Sequence, residues 1–252
     1  MRLGPRRYAR HPVAAADVDV FRWGRERART GAWRGDRQVA HLSLLPDGPA
    51  LSVDFVRRCL DHLASRGFSR VVTSALSPDE QRSFLAAGFG VQEQLFLLAH
   101  DLRRLPRART GAVLRRADAA DRPDVLAVDS AAFQPFWRLD EPGLDDAIRA
   151  TARARFRLAE LDGDVIGYAI TGRSGRRGYL QRLGVHPGHR QAGTGSALVV
   201  DGLAWLRRWR AQVAIVNTQD QNMDALHVYE RLGFHRLPHG LSVLSTGLGD
   251  SS

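Results

Sequence analysis

Hydrophobic spacing in the second half of the chain switches repeatedly between the period of strands and that of helices. The segment "AVLRR" from residue 112 predicts a short strand, and Asp118 predicts the N-cap of a helix that runs to about Phe133. A second helix is expected over "GLDDAIRATA". The run "RFRLAELDGDVIGYAITG" predicts a hairpin around Asp162 and Gly163, because Asp-Gly is the strongest short turn signal in the sequence.

The pattern continues as a strand, a glycine-rich loop and a helix. The strand "YLQRLGV" ends before Pro187, which cannot donate to a strand ladder, and the loop "HRQAGTGSAL" follows from residue 189. Apolar residues from Leu198 to Leu206 then recur at helical spacing. The remaining segments predict a strand over "VAIVN", a helix over "DALHVYERL" that ends at Gly233, and a final strand over roughly 240–247.

A glycine-rich turn between a strand and a helix presents several backbone N–H groups to an anion. Gly193 and Gly195 allow close approach, because no Cβ stands in the way. A Walker P-loop is excluded, since neither glycine leads into Lys followed by Ser or Thr. A dinucleotide fingerprint is excluded because the residues after Gly195 do not continue it, and the order of elements does not suit a doubly wound sheet.

Two motifs resemble those of the GCN5-related N-acetyltransferase (GNAT) family. The residues "RQAGTG" at 190–195 match its Arg/Gln-x-x-Gly-x-Gly/Ala signature, and "LGVHPGHR" resembles the segment that leads into it. "NMDALHVYERLGF" at 222–234 resembles the family's later motif, about 30 residues further on. The resemblance covers roughly residues 110–246. It implies an α+β fold with a mixed central sheet, flanked by helices, whose fourth and fifth strands splay apart.

The same resemblance implies that acetyl-CoA lies between the splayed strands, with its pyrophosphate on the amides of the glycine loop. The Val185 N–H would polarise the acetyl carbonyl, and the bulged end of the fourth strand, 183–185, would bond the pantetheine arm. Tyr229 matches the family's tyrosine that protonates the departing thiolate, with a structural role as the alternative. Asn222 fits either a cofactor contact or a helix cap. The implied cofactor-binding residues are Leu183, Gly184, Val185, Arg190, Gln191, Ala192, Gly193, Thr194, Gly195, Ser196, Asn222, Ala225 and Tyr229.

The general base departs from the family pattern. Tyr179 stands where many relatives have a glutamate on the fourth strand, which leaves the base open. Glu160 or a carboxylate of "RLDEPGLDD" could act through a water, and the alternative for each is a surface role. An acceptor amine of low pKa would need no base. Phe133, Phe136 and Trp137 are expected to line the acceptor pocket with Tyr179 and Glu160, and the alternative for these aromatic residues is plain core.

The first half of the chain resembles a degraded copy of the second. "FLAAGF" at 84–89 parallels "YERLGF" at 229–234. "LSVDFVRRCLDHL" from residue 51 parallels "LVVDGLAWLRRWR" from residue 198, and both precede a β-rich run. Self-similarity of this length indicates a duplicated unit.

The copy lacks the glycine motif, and Phe84 replaces the tyrosine, so no hydroxyl can donate a proton there. We therefore expect a degenerate, truncated GNAT-like domain over 1–104 that binds no CoA. A linker is expected over 105–111 and a complete catalytic GNAT domain over 112–252. This tandem arrangement is similar to that of mycothiol synthase, without implying its substrate.

Composition narrows the choice of chemistry. All 37 basic residues are arginine, so no lysine can form a Schiff base, and the net charge is +10. Cys59 is the only cysteine, which excludes a disulfide within the chain and a Cys-rich zinc site; no metal is expected. The first 21 residues lack the apolar run of a signal peptide, and no stretch is long and apolar enough to span a membrane, so the cytoplasm is expected.

These features predict an acetyl-CoA-dependent N-acetyltransferase. An amine of a small molecule or of a peptide or protein would attack acetyl-CoA directly, without a covalent enzyme intermediate. One alternative is a non-catalytic acyl-CoA sensor or scaffold. A second alternative is a protein that docks on the ribosome or on nucleic acid through its basic surface, for example to acetylate a protein N-terminus. The arginines are scattered, however, and the sequence has no stripe of interleaved aromatic and basic residues.

Overall fold

The computed structural model describes residues 19–45 and 48–249. Residues 1–18, which make up most of the segment considered for a signal peptide, lie outside them. Within the described residues one sheet of twelve strands is flanked by six helices and two short 3₁₀ turns. The strands are β1 (Asp19–Trp23), β2 (Glu26–Trp33), β3 (Asp36–Leu44), β4 (Arg70–Thr73), β5 (Gly90–His100), β6 (Val113–Arg116), β7 (Arg153–Leu161), β8 (Asp164–Ser174), β9 (Arg177–Val185), β10 (Val213–Gln219), β11 (His235–Arg236) and β12 (Leu241–Gly247). The helices are α1 (Val53–Ser65), α2 (Pro78–Ala86), α3 (Arg122–Ala132), α4 (Glu141–Arg149), α5 (Thr194–Arg208) and α6 (Met223–Arg231), and the 3₁₀ turns are Pro135–Trp137 and Pro187–His189. No helix of this described part is both long and apolar enough to cross a bilayer.

The predicted hairpin is confirmed as β7 and β8. Asp162 and Gly163 have φ values of 54° and 91°, the two consecutive positive angles of a type I′ turn. Aspartate and glycine tolerate these angles, and the turn matches the twist of the flanking strands. The other predicted strands and helices of the second half are confirmed as β6, α4, β9, α5, β10, α6 and β12.

The predicted N-cap of the first helix is wrong. Helix α3 begins at Arg122 behind Asp121, and Pro123 occupies its first turn, where a missing N–H costs nothing. The carboxylate of Asp118 instead accepts a hydrogen bond from the Ala120 N–H at 2.8 Å. Asp121 is held by Arg115, with 2.7 Å between Oδ1 and Nη2. Asp118 therefore closes a turn ahead of the helix.

The expected parting of the fourth and fifth strands of the second half is confirmed. These strands, β9 and β10, run parallel and pair only from Arg177 to Tyr179 on β9 and from Val213 to Ile215 on β10. Beyond Tyr179 the two strands separate, and a gap opens between them. The mixed sheet with flanking helices is the α+β GNAT fold expected from the sequence.

The bulge in β9 lies earlier than predicted. The pairing of β8 with β9 shifts between Ile170 and Thr171, whose partners are Arg182 and Leu180, so Gln181 is the extra residue. Residues 183–185, predicted as the bulged end, pair regularly with β8. Their other side faces the gap, where β10 no longer pairs.

The two halves of the chain exchange their last strands. The sheet order is β1-β2-β3-β4-β12-β5-β10-β9-β8-β7-β6, with β11 against β5. Strand β5 of the first half therefore pairs with β10, and β12 of the second half pairs with β4. The predicted domain division at 104 and 112 stays a prediction, but a cut there would leave neither half with its observed sheet partners.

Hydrophobic packing reinforces this exchange. Leu244 of β12 is fully buried in the core of the first half, with Phe55 and Leu63 of α1. Conversely, Leu98 of β5 is fully buried in the core of the second half, with Leu203 of α5. Burying one leucine side chain stabilises a fold by about 2 kcal/mol, so each exchanged strand anchors the opposite half.

Candidate active site

Two cavities follow the gap between β9 and β10. The loop cavity, of about 570 Å³, lies beside the glycine loop at the start of α5. The inner cavity, of about 280 Å³, extends towards the first half of the chain. Five residues line both of them, which makes the two spaces neighbours: Phe133, Leu183, Asn222, Ala225 and Tyr229.

The glycine loop presents unsatisfied backbone donors to the loop cavity. Helix α5 begins at Thr194, behind Gly193 with φ of 80°. The first N–H of this helix to find a backbone partner is that of Ala197, which donates to the Gly193 carbonyl at 2.9 Å. Among the described residues, the amides of 194–196 have no backbone acceptor, as is usual for a first helical turn. They can therefore bind an anion, with the helix dipole in support.

Basic side chains surround these amides. In the described part of the chain, the basic or histidine residues that line the loop cavity are His189, Arg190, His227 and Arg231, against a single carboxylate from Asp224. The guanidinium of Arg190 also donates to the Ala132 carbonyl at the end of α3, at 3.2 Å. Ala192 of the predicted set does not line the cavity, whereas Gln191, Gly193, Thr194, Gly195 and Ser196 do.

The linker packs directly on the glycine loop. A Cβ at Gly193 would overlap the backbone carbonyl oxygen of Arg109, so this position needs glycine for space as well as for its positive φ. The hydroxyls of Thr110 and Thr194 are 3.2 Å apart. At Gly195, by contrast, a Cβ would make only an ordinary contact of 3.6 Å with Val185.

The free edge of β9 supplies further backbone groups. The His186 N–H donates to the Ile166 carbonyl of β8 at 2.9 Å. Backbone groups of successive strand residues point to alternate sides, so the N–H groups of Val185 and Leu183 point away from β8 and into the gap. An extended ligand arm can bond there as an added strand would.

Tyr229 lies where the two cavities meet. Its side chain is 5% exposed, and burial raises the pKa of its phenol above the ordinary value, so the hydroxyl keeps its proton at neutral pH. No hydrogen bond joins that hydroxyl to any other described residue. Asn222, about two helical turns earlier, caps α6: its Oδ1 accepts from the Ala225 N–H at 3.1 Å, as in the capping alternative.

The residues predicted to line the acceptor pocket do not all lie together in the structure. Trp137 lines the inner cavity and Phe133 lines both cavities, while Phe136 lies behind them, stacked on Trp33 at 5.3 Å between ring centroids. Tyr179 and Glu160 line neither cavity. Tyr179 lies where β9 still pairs with β10, and Glu160 faces Arg115, whose Nε is 2.6 Å from its carboxylate.

The carboxylates of "RLDEPGLDD" also lie outside the two cavities. Asp140 caps α4 by accepting from the Gly143 N–H at 2.8 Å. Glu141 and Asp145 share Arg122, at 2.5 and 3.0 Å. These groups hold the first two helices of the second half together, which explains their position without a catalytic role.

Sequence reasoning missed a buried polar cluster beneath the inner cavity. Asp129 of α3 is fully buried and accepts hydrogen bonds from the Tyr168 hydroxyl, from Arg182 at 2.7 Å and from the Leu139 N–H at 2.6 Å. A signal was available, because Asp129 shares the apolar face of its helix with Val125. A charge at such a core position requires a partner.

The first half also contributes residues that sequence reasoning did not place at the site. Trp33 and Arg34, at the turn between β2 and β3, line the inner cavity with Thr73 and Leu95. The indole Nε1 of Trp33 donates to the Phe136 carbonyl at 3.1 Å, which fixes this turn against the second half. The inner cavity is thus built from both halves of the chain.

The GNAT identification is supported by comparison with known proteins. Residues 123–234 match the family model described as "Acetyltransferase (GNAT) family". A mycothiol acetyltransferase of Saccharomonospora viridis is 32% identical over 234 residues, which cover 80% of this chain and 73% of that protein. The chain therefore belongs to the GNAT acetyltransferase family.

Other relatives align over smaller shares of their length. The mycothiol acetyltransferase of Amycolatopsis mediterranei is 31% identical over 71% of this chain and 65% of its own length. That of Streptomyces avermitilis is 38% identical over 43% of this chain and 38% of its own length. The chain thus spans less than two thirds of either protein.

Solved structures share the fold at low sequence identity. A tandem GNAT protein from the clavulanic acid biosynthesis pathway superimposes with a TM-score of 0.68 at 14% identity, covering 90% of this chain and 80% of its own. A GCN5-related N-acetyltransferase from Kribbella flavida gives a TM-score of 0.62 at 14% identity, covering 90% of this chain and 89% of its own.

Proposed function

We propose that this protein is an acetyl-CoA-dependent N-acetyltransferase in which a primary amine of a small molecule or peptide attacks acetyl-CoA directly. The observation that carries the proposal is the gap between β9 and β10. At one end of it lie the free amides of the α5 N-terminus, and the buried Tyr229 lies where its two cavities meet.

The residues around the loop cavity fit the cofactor. The amides of 194–196 and the basic side chains, with Arg190 among them, suit a pyrophosphate. Leu183 N–H and Val185 N–H suit an extended pantetheine arm. When bound, acetyl-CoA supplies an activated thioester. The Val185 N–H would donate to the acetyl oxygen and stabilise the charge that develops on it.

Proton transfer is assigned to Tyr229 at the leaving sulfur. The amine nitrogen would form the new C–N bond as the C–S bond breaks, and the phenol would give its proton to the sulfur and regain one from solvent. The raised pKa keeps the phenol protonated for this role, and burial also disfavours a free thiolate beside it. The proton lost by the amine passes to solvent, because no carboxylate among the described residues lines the inner cavity.

The first half is proposed to bind no CoA. Its helix α1 corresponds to α5, but the Glu26 carboxylate already accepts from the Ser52 N–H at 2.5 Å and the Ser52 hydroxyl at 2.9 Å. The Ser52 hydroxyl oxygen in turn accepts from the Phe55 N–H at 3.1 Å. The N-terminus of α1 is therefore already neutralised by a side chain of the same half.

Calorimetry with CoA and a thiol-release assay with acetyl-CoA and a panel of primary amines test the proposal together. We expect one CoA per chain and thiol release with at least one class of amine. If CoA did not bind, the proposal would be wrong, because every step of it depends on bound acetyl-CoA. No carboxylate of the described residues lines the inner cavity, which favours one rival, an acyl-CoA sensor, for which CoA would bind and no amine would release thiol.

A further inference from the structure

We propose that the acceptor carries an anionic oxygen group, a carboxylate or a phosphate, which Arg34 of the first half binds in the inner cavity. This inference rests on the proposed function and specifies its substrate class. It gives the first half a role in substrate recognition rather than in cofactor binding.

Arg34 is held over the inner cavity by a rigid turn. It sits between β2 and β3 with φ of 49°, and one of its terminal nitrogens donates to the Arg138 carbonyl at 2.7 Å. The guanidinium carbon lies 4.6 Å from the ring centroid of Trp33, within the range of a cation–π contact. A guanidinium has five N–H donors, so this arrangement leaves others for an anion.

The positive charge of Arg34 has no ion-pair partner. Among the described residues no Asp or Glu oxygen comes within 4.0 Å of its guanidinium. Asp129 and Asp140 attract it from a greater distance, but Asp129 is bound to Arg182 and the Tyr168 hydroxyl, and Asp140 accepts from the Gly143 N–H.

A half-buried guanidinium in this position favours an anionic partner. Burial, together with repulsion from the Arg182 guanidinium, lowers the pKa of Arg34 to about 10. A bound anion would offset both effects. It would also accept bidentate hydrogen bonds, the strongest kind that this side chain forms with a ligand.

The remaining polar surface of the inner cavity is uncharged. It includes the hydroxyl and amide side chains of Thr73, Asn217 and Gln219, beside the aromatic rings of Trp33 and Trp137. Among residues 19–45 and 48–249, the charged side chains that line it are those of Arg34 and Arg182 alone. Such a surface disfavours an acceptor with a second cationic group and favours one whose amine is balanced by an anion.

Matched acidic and neutral amines test this preference. The probes are glycine, glycylglycine and triglycine, each with its C-terminal amide, and O-phosphoethanolamine with ethanolamine. Binding is followed by the tryptophan emission of the full-length protein, since Trp33 and Trp137 line the cavity, and acetylation by thiol release. Arg34→Gln removes the charge, Arg34→Lys retains it, and Arg37→Gln is the control, because Arg37 is exposed and lines neither cavity.

We expect at least one acidic probe to bind about tenfold more tightly than its neutral partner, as a charged hydrogen bond implies. Arg34→Gln should abolish this difference, Arg34→Lys should retain part of it, and Arg37→Gln should leave it intact. Acetyl-CoA affinity should stay the same throughout. Whether carboxylates or phosphates respond identifies the source of the anionic group.

Three results would overturn the inference: neutral probes that bind as tightly as acidic ones, a preference that survives Arg34→Gln, or no binding of any probe. The same measurements distinguish failure of this inference from failure of the proposed function. If acidic probes bind preferentially but no amine releases thiol, the anion site stands and catalysis does not. If neutral amines are acetylated and acidic ones are not, catalysis stands and the anion site does not.

Discussion

The tyrosine side chains Tyr229 and Tyr168 differ in whether a neighbouring residue binds the hydroxyl. Tyr229 lines both cavities and has no hydrogen-bond partner among the described residues, whereas the fully buried Tyr168 is bound to Asp129. The hydroxyl of Tyr229 is therefore available to a ligand in these cavities, and that of Tyr168 is not. The position of Tyr229 in the later GNAT-like motif was predictable from the sequence, but its burial was not.

The substitution Tyr229→Phe removes that hydroxyl alone. We expect kcat to fall by about 100-fold, the lower range for loss of a general acid, with acetyl-CoA affinity unchanged. Because burial raises the pKa of Tyr229, wild-type activity should not decline through loss of this proton on going from neutral pH to the ordinary tyrosine pKa near 10. Tyr179→Phe, which touches neither cavity, is the matched control, and full turnover in Tyr229→Phe would refute the acid role.

His41 of β3 gives the fold a dependence on pH. Burial, with repulsion from Arg34 and Arg29, lowers its pKa from 6.5 to about 4. The unfolded chain therefore takes up a proton at a higher pH than the folded chain does. The free energy of unfolding should fall as the pH falls from 6.5 to about 4, by up to about 3 kcal/mol from this residue.

Urea unfolding at several pH values measures this contribution. His41→Gln should flatten the dependence in that window, while the exposed His239→Gln should leave it unchanged. An unaltered slope in His41→Gln would show that His41 titrates normally in the folded protein.

At the scale of elements, short-range signals were predictable and long-range contacts were not. The Asp162-Gly163 turn and the glycine loop depend on local backbone angles, which the sequence specifies directly. The start of α3 was misplaced because Asp118 caps a turn ahead of the helix, and the ion pair of Asp121 with Arg115 is not visible in the local pattern. The bulge at Gln181 depends on pairing with β8, which no local pattern reveals.

The contact between the linker and the glycine loop makes Gly193 sensitive to any side chain. Gly193→Ala adds a Cβ against the Arg109 carbonyl at a positive φ, so we expect a loss of about 1–3 kcal/mol of stability together with weaker CoA binding. Gly111→Ala is the control, because open space surrounds that position. Thermal unfolding and calorimetry measure both effects, and a Gly193→Ala protein that matches wild type in each would contradict this account of the loop.

For the whole molecule, the duplication was visible in the sequence but the exchange of strands was not. No local pattern in β5 or β12 specifies in which half each strand pairs. Their destinations are decided by tertiary packing, as the burial of Leu98 and Leu244 shows. The inner cavity, with Trp33 and Arg34 from the first half, depends on the same arrangement and was unpredictable for the same reason.

Separated halves should therefore fail to fold alone. A fragment of residues 105–252 lacks β5, the partner of both β10 and β12, so we expect aggregation and no cooperative unfolding. Coexpression with residues 1–104 should restore a soluble 1:1 complex that binds CoA. Size-exclusion chromatography and thermal unfolding distinguish the outcomes, and a stable monomeric 105–252 fragment would contradict the interdependence of the halves.

The place of β12 also sets the order of events at the ribosome. This strand lies between β4 and β5, which are synthesised more than a hundred residues before it. Until β12 emerges, the nascent first half has a bare sheet edge, the kind of surface that chaperones shield from aggregation. The sheet of the first half is therefore completed only after most of the second half has been synthesised, however early its first helices form.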